Sequence, residues 1–290
     1  MRSYPPLLGA LVGTLADQRA RLGALARRAS AGGDEELLHD VRVALRRTAT
    51  VARVTRRVLG PWDGDAVRAR AGTMRRALSP LRTAEVCRVF LSDRFAEDPV
   101  LGPRARRIAG LLFPAPGGGR PPIRASDLHA LARLLRDRQA ILTEVPARDE
   151  LEREIEKRVG RRVEALEKVL RDVLPPTRET VHAARIAAKG LRYALEFAGP
   201  FVSEAEAVLP ALRLYQDVAG TAHDRIEVAD AVRGRHDRAR GGARARLAPL
   251  LPPLEEDVAL AVAEAIRDGE ELRLLLKTRR PRWRGAVIPG

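Results

Sequence analysis

Apolar residues recur at helical spacing along almost the whole chain, and the alternation of apolar and polar residues that strands need is missing. The pattern predicts helices over 7–30, 34–59, 64–78, 81–95, 99–113, 125–145, 148–174, 178–199, 203–219, 221–240 and 254–277. Asp34 and Thr177 are suited to begin helices, and Gly60-Pro61 and Gly199-Pro200 to end them. We therefore expect an all-α protein.

Two segments of the chain echo each other on either side of a Pro/Gly-rich break. "HDVRVALRRTATVARVTRRVLGP" begins at His39 and "HAARIAAKGLRYALEFAGP" begins at His182. The break, 114–124, has the composition of a linker. An internal duplication explains the echo. We predict one domain over 1–280 with repeats at about 1–113 and 125–277, followed by a C-terminal tail, 281–290.

Each echo places basic residues on one face of a helix and apolar residues on the other. The first face carries His39, Arg42, Arg46, Arg53 and Arg57, and the second carries His182, Arg185, Lys189 and Arg192 beside Tyr193 and Glu196. Solvated faces usually mix both signs, whereas like charges one turn apart repel by roughly 0.2–0.5 kcal/mol per pair. The repeated stripe favours a bound anion, and an ordinary solvated face is the alternative.

Composition narrows the class of ligand. The chain has 53 Lys+Arg against 38 Asp+Glu, a formal charge of +15, so a polyanion or an acidic surface is the expected partner. Nearly all of the cations are arginine, whose planar donors grip two phosphate oxygens at once. Aromatic residues make up only 3%, few for a protein that stacks on bases.

The sequence disfavours several other classes of protein. The single cysteine, Cys87, excludes a disulfide framework and fits a reducing cytoplasm. No stretch approaches the ~20 apolar residues of a membrane span. The apolar start, 7–16, continues as an amphipathic helix and is interpreted as such, not as a signal peptide.

The pattern His-x-x-Arg-x-x-x-Arg/Lys, placed twice on long helices of a basic chain, resembles the CHAD family, the conserved-histidine α-helical domain. The segments "LLHDVRVALRR" and "VHAARIAAKGLRYALEF" carry the resemblance, supported by "LSPLRTAEV" at 78–86 and "LYQDVAGTAHD" at 214–224. It extends over about 7–277. The first copy departs from the pattern, with Ala49 where the second has Arg192 and with Thr83 where the family has Asp.

The resemblance implies two pseudo-symmetric helical bundles whose long basic helices line a central groove or pore. It implies non-catalytic binding of inorganic polyphosphate, with no cofactor and no metal, a cytoplasmic location at polyphosphate granules, and polyphosphate-metabolising enzymes as further partners. The anion contacts it assigns are His39, Arg42, Arg46, Arg47, His182, Arg185, Lys189, Arg192 and Tyr193, with Arg53, Arg57, Arg76 and Arg82 as secondary candidates. Whether each histidine acts as a neutral partner or as a protonated phosphate donor stays open.

Alternative functions remain. Sequence-nonspecific nucleic-acid binding is the main one, because "RGRHDRARGGARAR" at 233–246 and "KTRRPRWRG" at 277–285 suit a phosphate backbone. A metal phosphohydrolase would use the His-Asp dipeptides at 39–40, 223–224 and 236–237, but the chain has only five histidines. A scaffold that docks an acidic protein explains the charge but not the repeated His-Arg pattern.

Overall fold

The computed structural model describes residues 6–31, 35–55, 61–113, 123–142, 148–172 and 177–283. Within these ranges the chain forms helices α1 (Pro6–Ala31), α2 (Glu35–Thr55), α3 (Pro61–Arg94), α4 (Leu101–Leu112), α5 (Ala125–Leu142), α6 (Arg148–Arg171), α7 (Arg178–Ala198), α8 (Ala205–Arg238), α9 (Gly241–Leu247) and α10 (Leu251–Thr278). Two-residue strands, β1 (Val202–Ser203) and β2 (Arg282–Trp283), pair antiparallel. The predicted all-α class is confirmed.

Two predicted helix boundaries are wrong. Helices predicted at 64–78 and 81–95 form the single helix α3, which continues through Pro80. Helices predicted at 203–219 and 221–240 form the single helix α8, which continues through Gly220. Proline removes one backbone hydrogen bond and glycine weakens a helix, but apolar packing on both sides of each position outweighs these local costs.

The helices form two four-helix bundles. In the first, α1, α2, α3 and α5 pack in a ring, and in the second, α6, α7, α8 and α10 do the same. α5 follows the predicted linker, yet its Leu128, Leu131 and Leu135 are buried in the same core as Leu15 and Leu22 of α1. The boundary between the bundles therefore lies between α5 and α6, later than the predicted one at 114–124, of which 114–122 falls outside the described residues.

The long helices α3 and α8 connect two layers of core. Their N-terminal halves join the main apolar core, which runs through both bundles. Their C-terminal halves form a second core with α4 and the start of α10, around Leu91, Phe95 and Val232. The helix pairs have matched lengths: α2 and α7 have 21 residues each, and α3 and α8 have 34 each. The matched lengths agree with an internal duplication, which stays a prediction.

Two further features concern the predicted C-terminal tail and the character of the helices. The predicted tail begins with β2, whose Arg282 exchanges hydrogen bonds with the Ser203 hydroxyl, and 284–290 lie outside the described residues. Among the helices described here, none combines the length and the apolar character that crossing a membrane requires.

Candidate functional site

The fold buries the apolar face of α2 and leaves its basic face outward. Val41, Ala44 and Leu45 are at most 3% exposed. Asp40 faces the opposite direction from the stripe, toward α1, where its carboxylate accepts a hydrogen bond from Arg28 at 2.7 Å. It also lies 3.6 Å from the Arg21 guanidinium. Asp40, the acid nearest to the first stripe in sequence, therefore pairs with arginines of α1.

α7 begins and packs as its sequence predicts. Thr177 caps the helix, and its side chain and that of Thr180 bond each other's backbone amides in a capping box. The apolar side is buried against α6 and α8 at Ala184, Ala187, Ala188, Leu191, Ala194, Leu195 and Ala198. His182, Arg185, Lys189 and Arg192 consequently share the remaining face.

The two stripes meet at Tyr193. Arg46 of α2 donates a hydrogen bond to the Tyr193 hydroxyl at 2.9 Å, and Arg192 of α7 donates to the same oxygen at 3.3 Å. Both guanidinium carbons also lie near the tyrosine ring, at 6.0 and 4.9 Å from its centroid. We refer to Arg46, Arg185, Lys189, Arg192 and Tyr193 as the α2–α7 cluster.

The cluster is crowded with positive charge. The pKa of Lys189 is lowered to about 7, first by burial and then by the charges of Arg185 and Arg46. Burial also lowers the pKa of Arg185, with Asp224 opposing the shift and Arg46 adding to it. Basic residues of α2 and α7 thus repel one another electrostatically. In the protein without a ligand, burial and this repulsion make their charged forms less favourable.

α8 forms the wall beside Arg185. A Cβ placed on Gly220 would lie 3.9 Å from Arg185 Nε, which is van der Waals contact, so a side chain longer than alanine would press on the guanidinium. That nitrogen is buried and has no hydrogen-bond partner among the described residues. Asp224, one turn beyond Gly220, is the acid that most raises the pKa of Arg185. The glycine and the aspartate of the 214–224 segment thus both lie beside Arg185.

Two further residues join the site through tertiary packing. The ring centroids of His182 and His223 of α8 are 5.2 Å apart, and burial followed by the charge of His223 lowers the pKa of His182. His182 is therefore neutral at neutral pH and offers one N–H donor. The side chain of Arg162 of α6 passes over Gly190 of α7. A Cβ added to Gly190 would lie only 2.8 Å from Arg162 Nη1, so the glycine permits this approach. Sequence reasoning quoted the 214–224 segment, which contains His223, but did not assign His223 to the site, and it missed Arg162, which lies in no quoted motif.

The other predicted residues are distributed more widely. His39 and Arg47 are exposed on α2, and Arg42 is half-buried there. Arg76 of α3 donates to Thr73 at 3.0 Å and lines a separate groove of about 570 Å³ against the end of α4. The side chains of Arg53 and Arg82, and the whole of Arg57, lie outside the described residues.

The acidic residues around the cluster neutralise it only in part. Arg192 lies 3.4 Å from Glu196, and Asp224 and Glu227 act on Arg185. In the part of the chain that the structure describes, no group of three or more His, Cys, Asp or Glu side chains is arranged to hold a metal ion. The geometry provides half-buried guanidinium and ammonium donors that an anion would stabilise.

Comparison with known proteins agrees with this architecture. A family model described as the CHAD domain matches residues 13–233. The crystal structure of the CHAD domain from the plant Ricinus communis superposes with a TM-score of 0.60 at 19% identity, covering 98% of this chain and 96% of that one. No curated protein matches the chain in sequence. Because the family model spans most of the sequence, the chain belongs to the CHAD domain family.

Proposed function

We propose that the protein binds inorganic polyphosphate on the α2–α7 cluster. The observation that carries the proposal is the junction at Tyr193, where Arg46 from one bundle and Arg192 from the other bond the same hydroxyl. An extended anion lying across this junction can contact both bundles at once. The resemblance described above implies the same ligand.

The chemistry of the cluster suits an anion without bases. Tyr193 is its single aromatic member, and the guanidinium carbons of Arg46 and Arg192 lie 6.0 and 4.9 Å from its ring centroid. A base that stacked there would compete with these guanidinium groups for the ring. Polyphosphate needs only closely spaced donors for its oxygens, which Arg46, Arg185 and Lys189 supply. Binding should also weaken strongly with added salt, as for other polyanions.

Nucleic-acid binding is the second candidate, and the Arg-rich tracts are the observation that favours it. Several of their arginines already have acidic partners: Arg233 pairs with Glu255, Arg279 with Glu204 at 3.3 Å, and Arg280 with Glu167 at 3.1 Å. Arg244 donates to His236 within the first tract. These contacts reduce the charge that either tract offers to a phosphate backbone.

A competition experiment separates the two candidates. The protein is titrated with long-chain polyphosphate in the presence of duplex DNA at a large excess of phosphate. We expect polyphosphate binding to persist, because the cluster recognises closely spaced phosphate oxygens. Preferential binding of DNA, with polyphosphate displaced, would transfer the assignment to nucleic acid.

The proposed role is non-catalytic, in the cytoplasm at polyphosphate granules and alongside enzymes that make or degrade polyphosphate. If the role is non-catalytic, polyphosphate that is incubated with the pure protein should keep its chain length, with or without divalent metal. Release of phosphate that depends on metal would contradict the non-catalytic role while leaving binding intact.

A further inference from the structure

A second basic surface lies between α1 and α5, apart from the helices that form the α2–α7 cluster. There α1 and α5, which pack against each other in the first bundle, border a groove of about 770 Å³. Its basic side chains are Arg19 and Arg27 from α1 and His129, Arg133 and Arg136 from α5. The volume falls in the range of about 300–1,000 Å³ that small-molecule sites occupy.

Helical spacing brings these side chains to one groove. Arg19, Gly23 and Arg27 follow each other at one-turn intervals along α1, as do His129, Arg133 and Arg136 along α5. Gly23 leaves the middle of the α1 side open, since the nearest atom to an added Cβ is Arg27 Nη1 at 3.8 Å. The groove is therefore bordered by cations and open at its centre.

The groove cations differ from their neighbours in having no acidic partner. On the same bundle, Arg28 pairs with Asp40 at 2.7 Å and Arg70 pairs with Asp127 at 3.4 Å. Within the described ranges, the four groove arginines make no ion pair, and no acidic residue lines the groove. Four guanidinium groups without counterions around one cavity raise the local positive potential.

We propose that this groove is a second anion site, which takes a compact small molecule carrying several phosphate groups. Among the residues that line it none is Phe, Tyr or Trp, and His129 is its single ring, so recognition acts mainly through phosphate oxygens and gives a nucleoside base little stacking surface. The site shares no residue with the α2–α7 cluster. It is assigned from its own geometry and does not depend on the function proposed for that cluster.

Calorimetric titration of the full chain with tripolyphosphate tests the proposal. The protein titrated is the Arg185→Gln, Lys189→Gln variant, in which anion binding at the α2–α7 cluster should be weakened. We expect one tripolyphosphate to bind in this background, and adding Arg19→Gln and Arg133→Gln to weaken it about tenfold or more, as two lost charge-assisted contacts should. ATP should bind no more tightly than tripolyphosphate.

Two controls make the result specific. Arg104→Gln with Arg107→Gln removes the same charge from exposed positions on α4 and should change affinity little. Gly23→Leu fills the groove without changing charge and should also weaken binding, while leucine favours the helix. Equal losses in the α4 control and the groove variant, or no loss in either groove variant, would overturn the second site. Loss of long-chain polyphosphate binding in the Arg185, Lys189 background reports separately on the proposed function.

Discussion

At the scale of single residues, Lys189 is the group of the α2–α7 cluster whose charge a bound anion would change. Burial and the charges of Arg185 and Arg46 lower its pKa to about 7, and Arg192 also disfavours its charge, while Asp224 of α8 supports it. A bound anion favours the charged form and must raise this pKa. Free Lys189 is largely neutral above neutral pH, so binding there is coupled to uptake of a proton.

This coupling predicts a pH-dependent affinity. Between about pH 6.5 and 8.5, affinity for polyphosphate should fall as pH rises, because charging Lys189 costs progressively more free energy. Calorimetry at about pH 8 in buffers of different ionisation enthalpy should show net proton uptake. Lys189→Arg should remove most of the uptake, since the guanidinium stays charged. Wild-type binding with no proton uptake would contradict the assigned role of Lys189.

The same pKa shift acts on the stability of the ligand-free protein, with a sign that can be worked out. The folded-state pKa of about 7 lies below the usual lysine pKa of 10.5, so the unfolded chain binds more protons between these values. The contribution of Lys189 to stability therefore increases as pH rises through this window. A group that destabilises the empty protein when charged is expected at a binding site.

At the scale of elements, α8 supports the cluster through a missing side chain. Gly220 lies next to the Arg185 guanidinium, where only a small side chain fits, and Asp224 follows one turn later. The wall of the site is thus made by a helix that carries none of the predicted contact residues.

Replacing Gly220 with leucine should displace Arg185 and weaken polyphosphate binding by about tenfold, equivalent to one charge-assisted hydrogen bond. Helix content should be unchanged, since leucine favours helix over glycine. Binding and circular dichroism check this. The matched control is Gly110→Leu on α4, where an added Cβ meets nothing within 4 Å. Unchanged affinity in the Gly220→Leu variant would show that Arg185 makes no essential contact.

The elements also show how far the sequence alone could lead. The apolar faces of α2 and α7 were predictable, because Val41, Ala44, Ala188 and Leu191 follow the helical period and are buried. The breaks expected near Pro80 and Gly220 were wrong, since local propensity does not include the packing that carries α3 and α8 through those positions.

Tertiary neighbours could not be predicted in the same way. Placing α5 in the first bundle depends on its contact with α1, which no local pattern encodes. The pairing of His182 with His223 and the crossing of Arg162 over Gly190 arise between helices that are distant in sequence. The charged face of the site was predictable and the 214–224 segment was recognisable as part of the family pattern, whereas the contacts that its residues and Arg162 make with α7 were not.

At the scale of the whole molecule, two bundles share one core and one cationic junction. α2 of the first bundle contacts α6 and α7 of the second, and α3 contacts α8. Arg46 and Tyr193 lie on opposite sides of this interface. A polyanion bound there would contact both bundles and should therefore stabilise their association against unfolding.

The most direct test compares two variants of equal charge. Arg46→Gln, Arg185→Gln and Lys189→Gln together remove three cations from the cluster, and Arg104→Gln, Arg106→Gln and Arg107→Gln remove three exposed cations from α4. Affinity for long-chain polyphosphate is measured for both, with circular dichroism as the check on folding. We predict a loss of about a hundredfold or more for the cluster variant, and little change for the α4 variant. Equal losses would mean that net charge alone attracts the anion, and would contradict the α2–α7 cluster as the site.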